Sequence, residues 1–128
     1  MENNLNLMVG DWVQDEIDGI KLKVEIVGHH GNPSFVFASN DKGAMTQNGV
    51  QPIPLSPDLM ERVEGMKKGY SYNVGIAKEC YMYFSIGFMI RHNSYYVDFI
   101  GGNLEVKYLH QLQQLIRLFT NKEIEVKW

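Results

Sequence analysis

The chain has 128 residues, 45% of them hydrophobic and 21% charged, with a formal net charge of −3. That size and balance suit one globular domain, or one domain with a small appended module, able to bury a core without staples, and the negative charge argues against general binding to a nucleic-acid backbone. Cys80 is the single cysteine, which rules out a disulfide within the chain. No apolar run nears the roughly 20 residues that span a bilayer, and Met1-Glu2-Asn3-Asn4 lacks the basic start and apolar centre of a signal peptide, so a reducing cytoplasm and no membrane partner are expected.

Leu5 to Val9 is short and apolar, Gly10-Asp11 is a turn, and Trp12-Val13 resumes an extended run. Asp18-Gly19 is a strong hairpin signal, after which Ile20, Leu22, Val24 and Ile26 alternate with Lys21, Lys23 and Glu25 as a strand does. A loop from Gly28 to Pro33 carries His29 and His30. Phe35 to Phe37 is a short strand, Asn40 to Gly43 and Asn48-Gly49 are turns, and Val50 to Leu55 is extended because Pro52 and Pro54 forbid helix. Five short strands in about fifty residues predict a small closed barrel. The Gly10-Asp11-Trp12-Val13 opening resembles the first strand of an SH3-like barrel, with Trp12 in its core or rim.

Ser56-Pro57-Asp58 predicts a helix start, with Ser as N-cap and Pro at the first position, and Leu59, Met60 and Val63 give it one apolar side. Gly65 to Gly69, with Lys67 and Lys68, is the best boundary candidate. Tyr70, Tyr72, Val74 and Ile76 then alternate with small or polar residues. Tyr81 to Ile86 is apolar on both faces like a central strand, with Phe88 to Arg91 continuing it past Gly87. Asn93-Ser94 turns the chain, and Tyr95 to Ile100 returns. From Leu104 to Phe119 the residues Leu104, Tyr108, Leu109, Leu112, Leu115, Ile116 and Phe119 share one helical face at about 100° per residue. Gly101 to Asn103 would cap that helix, Asn121-Lys122 would stop it, and Ile124, Val126 and Trp128 would form a final edge strand. The predicted class is α+β: an N-terminal SH3-like small β-barrel, a short helix, an antiparallel β-meander packed under one C-terminal helix, and a short final edge strand. Its modules are 1–55 and 56–128, with one continuous domain as the alternative.

Residues 1–64 carry four Lys/Arg against ten Asp/Glu, a net of −6, and residues 65–128 carry eight against five, a net of +3. Such a split would help modules dock or copies associate head to tail, unless it is only uneven solvated surface. Adjacent His29 and His30 have no third ligand at a telling spacing, so no metal and no cofactor are expected. His92 precedes a turn and reads as a surface residue. His110, Gln113, Gln114 and Arg117 form a polar stripe opposite the helix's apolar face. The stripe is either a solvated back or a recognition surface, since Arg and Gln make directional hydrogen bonds. Six of the seven tyrosines lie between Tyr70 and Tyr96. Tyr81 and Tyr83 project to one side, as core or as an open face able to stack on a partner. No catalytic motif or phosphate-cradling loop stands out, which lowers the enzyme reading.

Three stretches taken together, Gly10-Asp11-Trp12-Val13, Val50 to Pro57, and Tyr108 to Leu115 followed by Glu123-Ile124, resemble a group of small proteins from gut bacteria and their prophages. Those proteins carry a Gly-Asn/Asp-Trp-Val start, a Pro-Ile-Pro-Leu-Ser/Thr-Pro centre and a His-x-Leu-Gln helix. The group has no established activity. The resemblance therefore implies a phage or mobile-element context and assigns no functional residue. A non-catalytic accessory or adaptor protein is expected, acting on a protein partner, with self-association open. The alternatives are a nucleic-acid-associated factor, favoured by the basic second half with its tyrosines, and a small enzyme with a spatially assembled site.

Overall fold

The computed structural model describes residues 6–28, 35–45, 49–73, 76–84, 86–91, 94–99 and 102–128. Two strands, β1 (Trp12–Asp15) and β2 (Lys21–Gly28), form the first hairpin, with Val13 opposite Leu22. Gly19 adopts φ +73°, a region that suits glycine, and its N–H closes the turn on the Asp15 carbonyl at 3.0 Å. The strands β3 (Phe35–Ser39) and β4 (Val50–Gln51) complete an antiparallel sheet in the order β3-β2-β1-β4. Alternation puts Leu7, Val13, Leu22, Val24 and Ala38 into one buried cluster, with Ala44 and Val50 against it.

The sheet is open, and among the described residues no sheet closes into the expected SH3-like barrel. β4 is two residues long and stops at Pro52, which has no N–H to extend a ladder, so it cannot serve as a closing strand.

The short helix starts as the sequence predicts. In α1 (Pro57–Arg62) the Ser56 hydroxyl accepts the Leu59 N–H at 3.1 Å, and Leu59 and Met60 are buried. A five-stranded antiparallel meander follows: β5 (Met66–Asn73), β6 (Ile76–Tyr83), β7 (Ile86–Arg91), β8 (Ser94–Phe99) and β9 (Gly102–Val106), in chain order. One face of it buries Tyr81, Tyr83, Phe88, Tyr95, Val97 and Val106.

Several expectations are corrected here. Residues 66–69 are no linker; they pair with residues 83–80 as the start of β5. Tyr81 to Arg91 is not one strand, because the chain reverses at Phe84 and Tyr83 pairs with Ile86. Leu104 is not helical; Tyr95 pairs with Val106 and Val97 with Leu104. The long helix is therefore α2 (Leu109–Thr120), which starts five residues later and ends one residue later than its apolar spacing suggests. The Leu109 N–H donates to the Ile53 carbonyl at 2.9 Å, and the Gln111 side chain accepts the Tyr108 N–H, so the free amides of the first turn are met by other groups than the expected Gly-Asn cap. Asn121 does stop α2, in the left-handed region at φ 56°. Residues 123–128 form no strand; a single bridge joins Val126 to Val63.

Two compact units result. The first takes in the described residues up to Pro54 together with Tyr108–Leu115, and the second comprises Leu55–Lys107 and Ile116–Trp128. The division falls inside α2.

Candidate functional site

The predicted polar stripe on α2 is not a solvated back. His110 is 2% exposed and Gln113 1% exposed, although Leu109, Leu112, Leu115 and Ile116 on the other side are buried as expected. The turn at residues 6–12 occupies what periodicity reads as the outer face. Gln113 Oε1 accepts the Trp12 N–H at 2.7 Å, and its Nε2 donates to the Gly10 carbonyl at 2.9 Å. Gln114 Nε2 donates to the Asn6 carbonyl at 2.9 Å and to Asp11 Oδ2 at 2.8 Å, and that same carboxylate oxygen accepts the Met8 N–H at 2.9 Å. The His110 ring lies parallel to that of Tyr108, with centroids 5.9 Å apart. Gln113 and Gln114 thus tie the turn at residues 6–12 to α2, a structural task. Arg117 belongs to the second unit, where its Nε meets Glu123 Oε1 at 2.6 Å.

Of the stretches that carry the resemblance, residues 10–13, residues 50–54 and Tyr108–Leu115 lie in the first unit, and residues 55–57 with Glu123-Ile124 lie in the second. Gly10 to Trp12 bonds to Gln113 and Gln114, and Ile53 bonds to Leu109. Their chemistry is that of a frame.

Tyr81 and Tyr83 are also inside. Tyr81 stands 6.1 Å from Tyr95, ring to ring, and burial pushes both hydroxyls above the ordinary tyrosine range, Tyr95 to about 12, with Tyr81 beside it adding to the shift. His29, His30 and His92 lie outside the described residues. Among the described residues no three His, Cys, Asp or Glu side chains gather as metal ligands, and no helix is long and apolar enough to cross a membrane.

Two large apolar side chains stand outward on hairpin turns. Ile17, at the tip of the β1–β2 hairpin, is 73% exposed, between the exposed Glu16 and Asp18. The buried Asp15 fixes this tip: its Oδ1 accepts the N–H of Ile17 at 2.9 Å and of Asp18 at 3.4 Å, while Asp18 Oδ1 accepts the Ile20 N–H at 3.0 Å. In the second unit Phe84, at the β6–β7 turn, is 71% exposed with φ 54°. An L-residue in that region costs about 1–2 kcal/mol, and no burial of the ring offsets it. The ring stands edge-on to Tyr83 at 4.9 Å, with Lys122 Nζ 5.9 Å from its centroid. Neither position was singled out by the sequence, although Ile17 beside Asp18-Gly19 was a legible signal of an apolar hairpin tip.

Fold and surface define an α+β protein, with two antiparallel sheets, two helices and apolar tips on two hairpins among the described residues. No protein-family model, curated protein or solved structure matches the chain.

Proposed function

We propose that the chain is a non-catalytic accessory or adaptor protein that works by binding another protein, in the phage or mobile-element setting its resemblance implies. The observation that carries this reading is the β1–β2 tip. Ile17 stands in water on a turn held by three side-chain-to-backbone hydrogen bonds. An apolar side chain presented on a rigid support loses little freedom when a partner covers it, which is what a binding anchor requires. The buried Asp11 and Gln113 and the half-buried Gln114 support the same reading, because they serve the backbone of residues 6–12.

The test is capture from cells of the source with immobilised wild-type chain and with Ile17→Asp. At least a tenfold loss, on the order of 1.4 kcal/mol, is expected for the partner band in the variant. Equal capture by both would overturn the reading. A gel-shift series on mixed-sequence DNA and RNA at low and moderate salt supplies the other arm. Retardation that fades steeply as salt rises would replace protein binding with nucleic-acid binding.

A further inference from the structure

The two exposed apolar tips are opposite in local charge. Ile17 has the acidic Glu16 and Asp18 on either side of it in the chain, all three exposed, with the Glu16 carboxylate also accepting the Gly49 N–H at 3.2 Å, and Phe84 has the exposed Lys122 ammonium beside its ring. Both tips are held in place before any contact, one by the hydrogen bonds from Asp15 and Asp18 and the other by the edge-on Tyr83 ring. A strained backbone at an exposed aromatic is a feature that binding, and not the folded monomer, rewards.

We infer that the partner of the Ile17 tip is a second copy of this chain, which receives it on the Phe84–Lys122 surface. The inference rests on the protein-binding reading above and names its partner. Ile17 covers the exposed ring, and the carboxylates on either side of it meet Lys122. The tips lie in different units of the chain, so the contact is head to tail. The pair keeps one unused tip, on the receiving copy, and one unused receiving surface, on the donating copy, so growth continues to short chains or closes as a ring. Two hairpin tips cover less than the about 1,200 Å² of a stable interface, so the dissociation constant is on the order of 0.1–1 mM. Opposite charges across a small exposed contact also make it weaken with salt.

The experiment is sedimentation equilibrium of the full chain from about 10 μM to about 1 mM at low salt, bracketing that dissociation constant. The weight-average mass starts at the monomer's 14.7 kDa and at least doubles for the wild type. It stays monomeric for Ile17→Ser, for Lys122→Glu and for the pair Glu16→Lys with Asp18→Lys. Mixing that lysine pair with Lys122→Glu restores association, because the native tip of the second meets the native surface of the first and the reversed tip of the first meets the reversed surface of the second. Circular dichroism shows that each variant is folded, and the restored mixture shows that each retains its other surface. A monomeric wild type at about 1 mM overturns the inference, as does wild-type association by Ile17→Ser or by Lys122→Glu. If the wild type stays monomeric while Ile17→Asp still loses capture of a different protein, the second-copy assignment falls and the protein-binding reading stands.

Discussion

Gln113 holds Trp12 across 101 positions of chain: its side-chain oxygen accepts the Trp12 backbone N–H at 2.7 Å, and its amide nitrogen donates to the neighbouring Gly10 carbonyl at 2.9 Å. Gln113 is buried and both bonds are partly buried, so removing its amide leaves two backbone groups without these partners. Gln113→Leu is expected to cost about 2–4 kcal/mol, read as a lower urea midpoint. Gln113→Glu keeps the acceptor and loses the donor, and should fall between the two. A midpoint unmoved by Gln113→Leu would mean that the turn at residues 6–12 contributes nothing to stability.

Asp15 governs the tip that carries Ile17. Asp15→Ala removes the acceptor for the Ile17 and Asp18 amides, at a cost of about 1–2 kcal/mol. Hydrogen exchange at those two amides should speed up by more than the global loss of stability explains. Capture of the partner should weaken although Ile17 itself is intact. Unchanged exchange at both amides would show that the turn is held by other means.

Stability should fall in alkali. The Tyr95 hydroxyl is raised from 10.0 to about 12, first by burial and then by Tyr81. The folded state therefore binds this proton more tightly than the unfolded state does. The sign follows: the contribution is complete below pH about 10 and is lost as pH rises through about 12, at most about 2–3 kcal/mol. Tyr95→Phe should flatten the stability curve over that window, and an absorbance titration of the wild type should show tyrosine ionising late. A wild-type curve as flat as the variant's would contradict the burial argument.

Gly65 has φ +90°, and a Cβ there would stand 3.3 Å from the Tyr83 ring. Gly65→Ala combines a disfavoured backbone with a tight contact and should cost about 1–3 kcal/mol by thermal unfolding. Gly43 has the same backbone sign with open space around it, so Gly43→Ala should cost less, about 1 kcal/mol. Equal losses at the two positions would remove the contact with Tyr83 from the account.

Much of the fold was legible where the signal is local. Ser56-Pro57 marks its helix, Asp18-Gly19 its hairpin, and the alternation around Leu22 and Val24 its buried face. The failures have physical causes. Phe84 turns the chain in a conformation normally read from Gly or Asn, so the β6–β7 reversal carries no turn residue at that position. Leu104 and Tyr108 are four apart and imitate a helical face, while the pairing of Gly102–Val106 with Phe99–Tyr95 that decides the matter is made with another strand. Periodicity puts the buried His110 and Gln113 outside, because it describes one face of a helix and says nothing of what covers the other. Gln113 and Gln114 are bound to residues a hundred positions away, which no spacing in one sequence announces.

That long reach has a consequence for synthesis. Translation at about 5–20 residues per second leaves roughly 3–12 s between Pro54 and Gln113. Throughout that interval the nascent first sheet lacks the amides that secure Gly10, Asp11 and Trp12, and its N-terminal turn is exposed to proteases and to premature pairing on the ribosome.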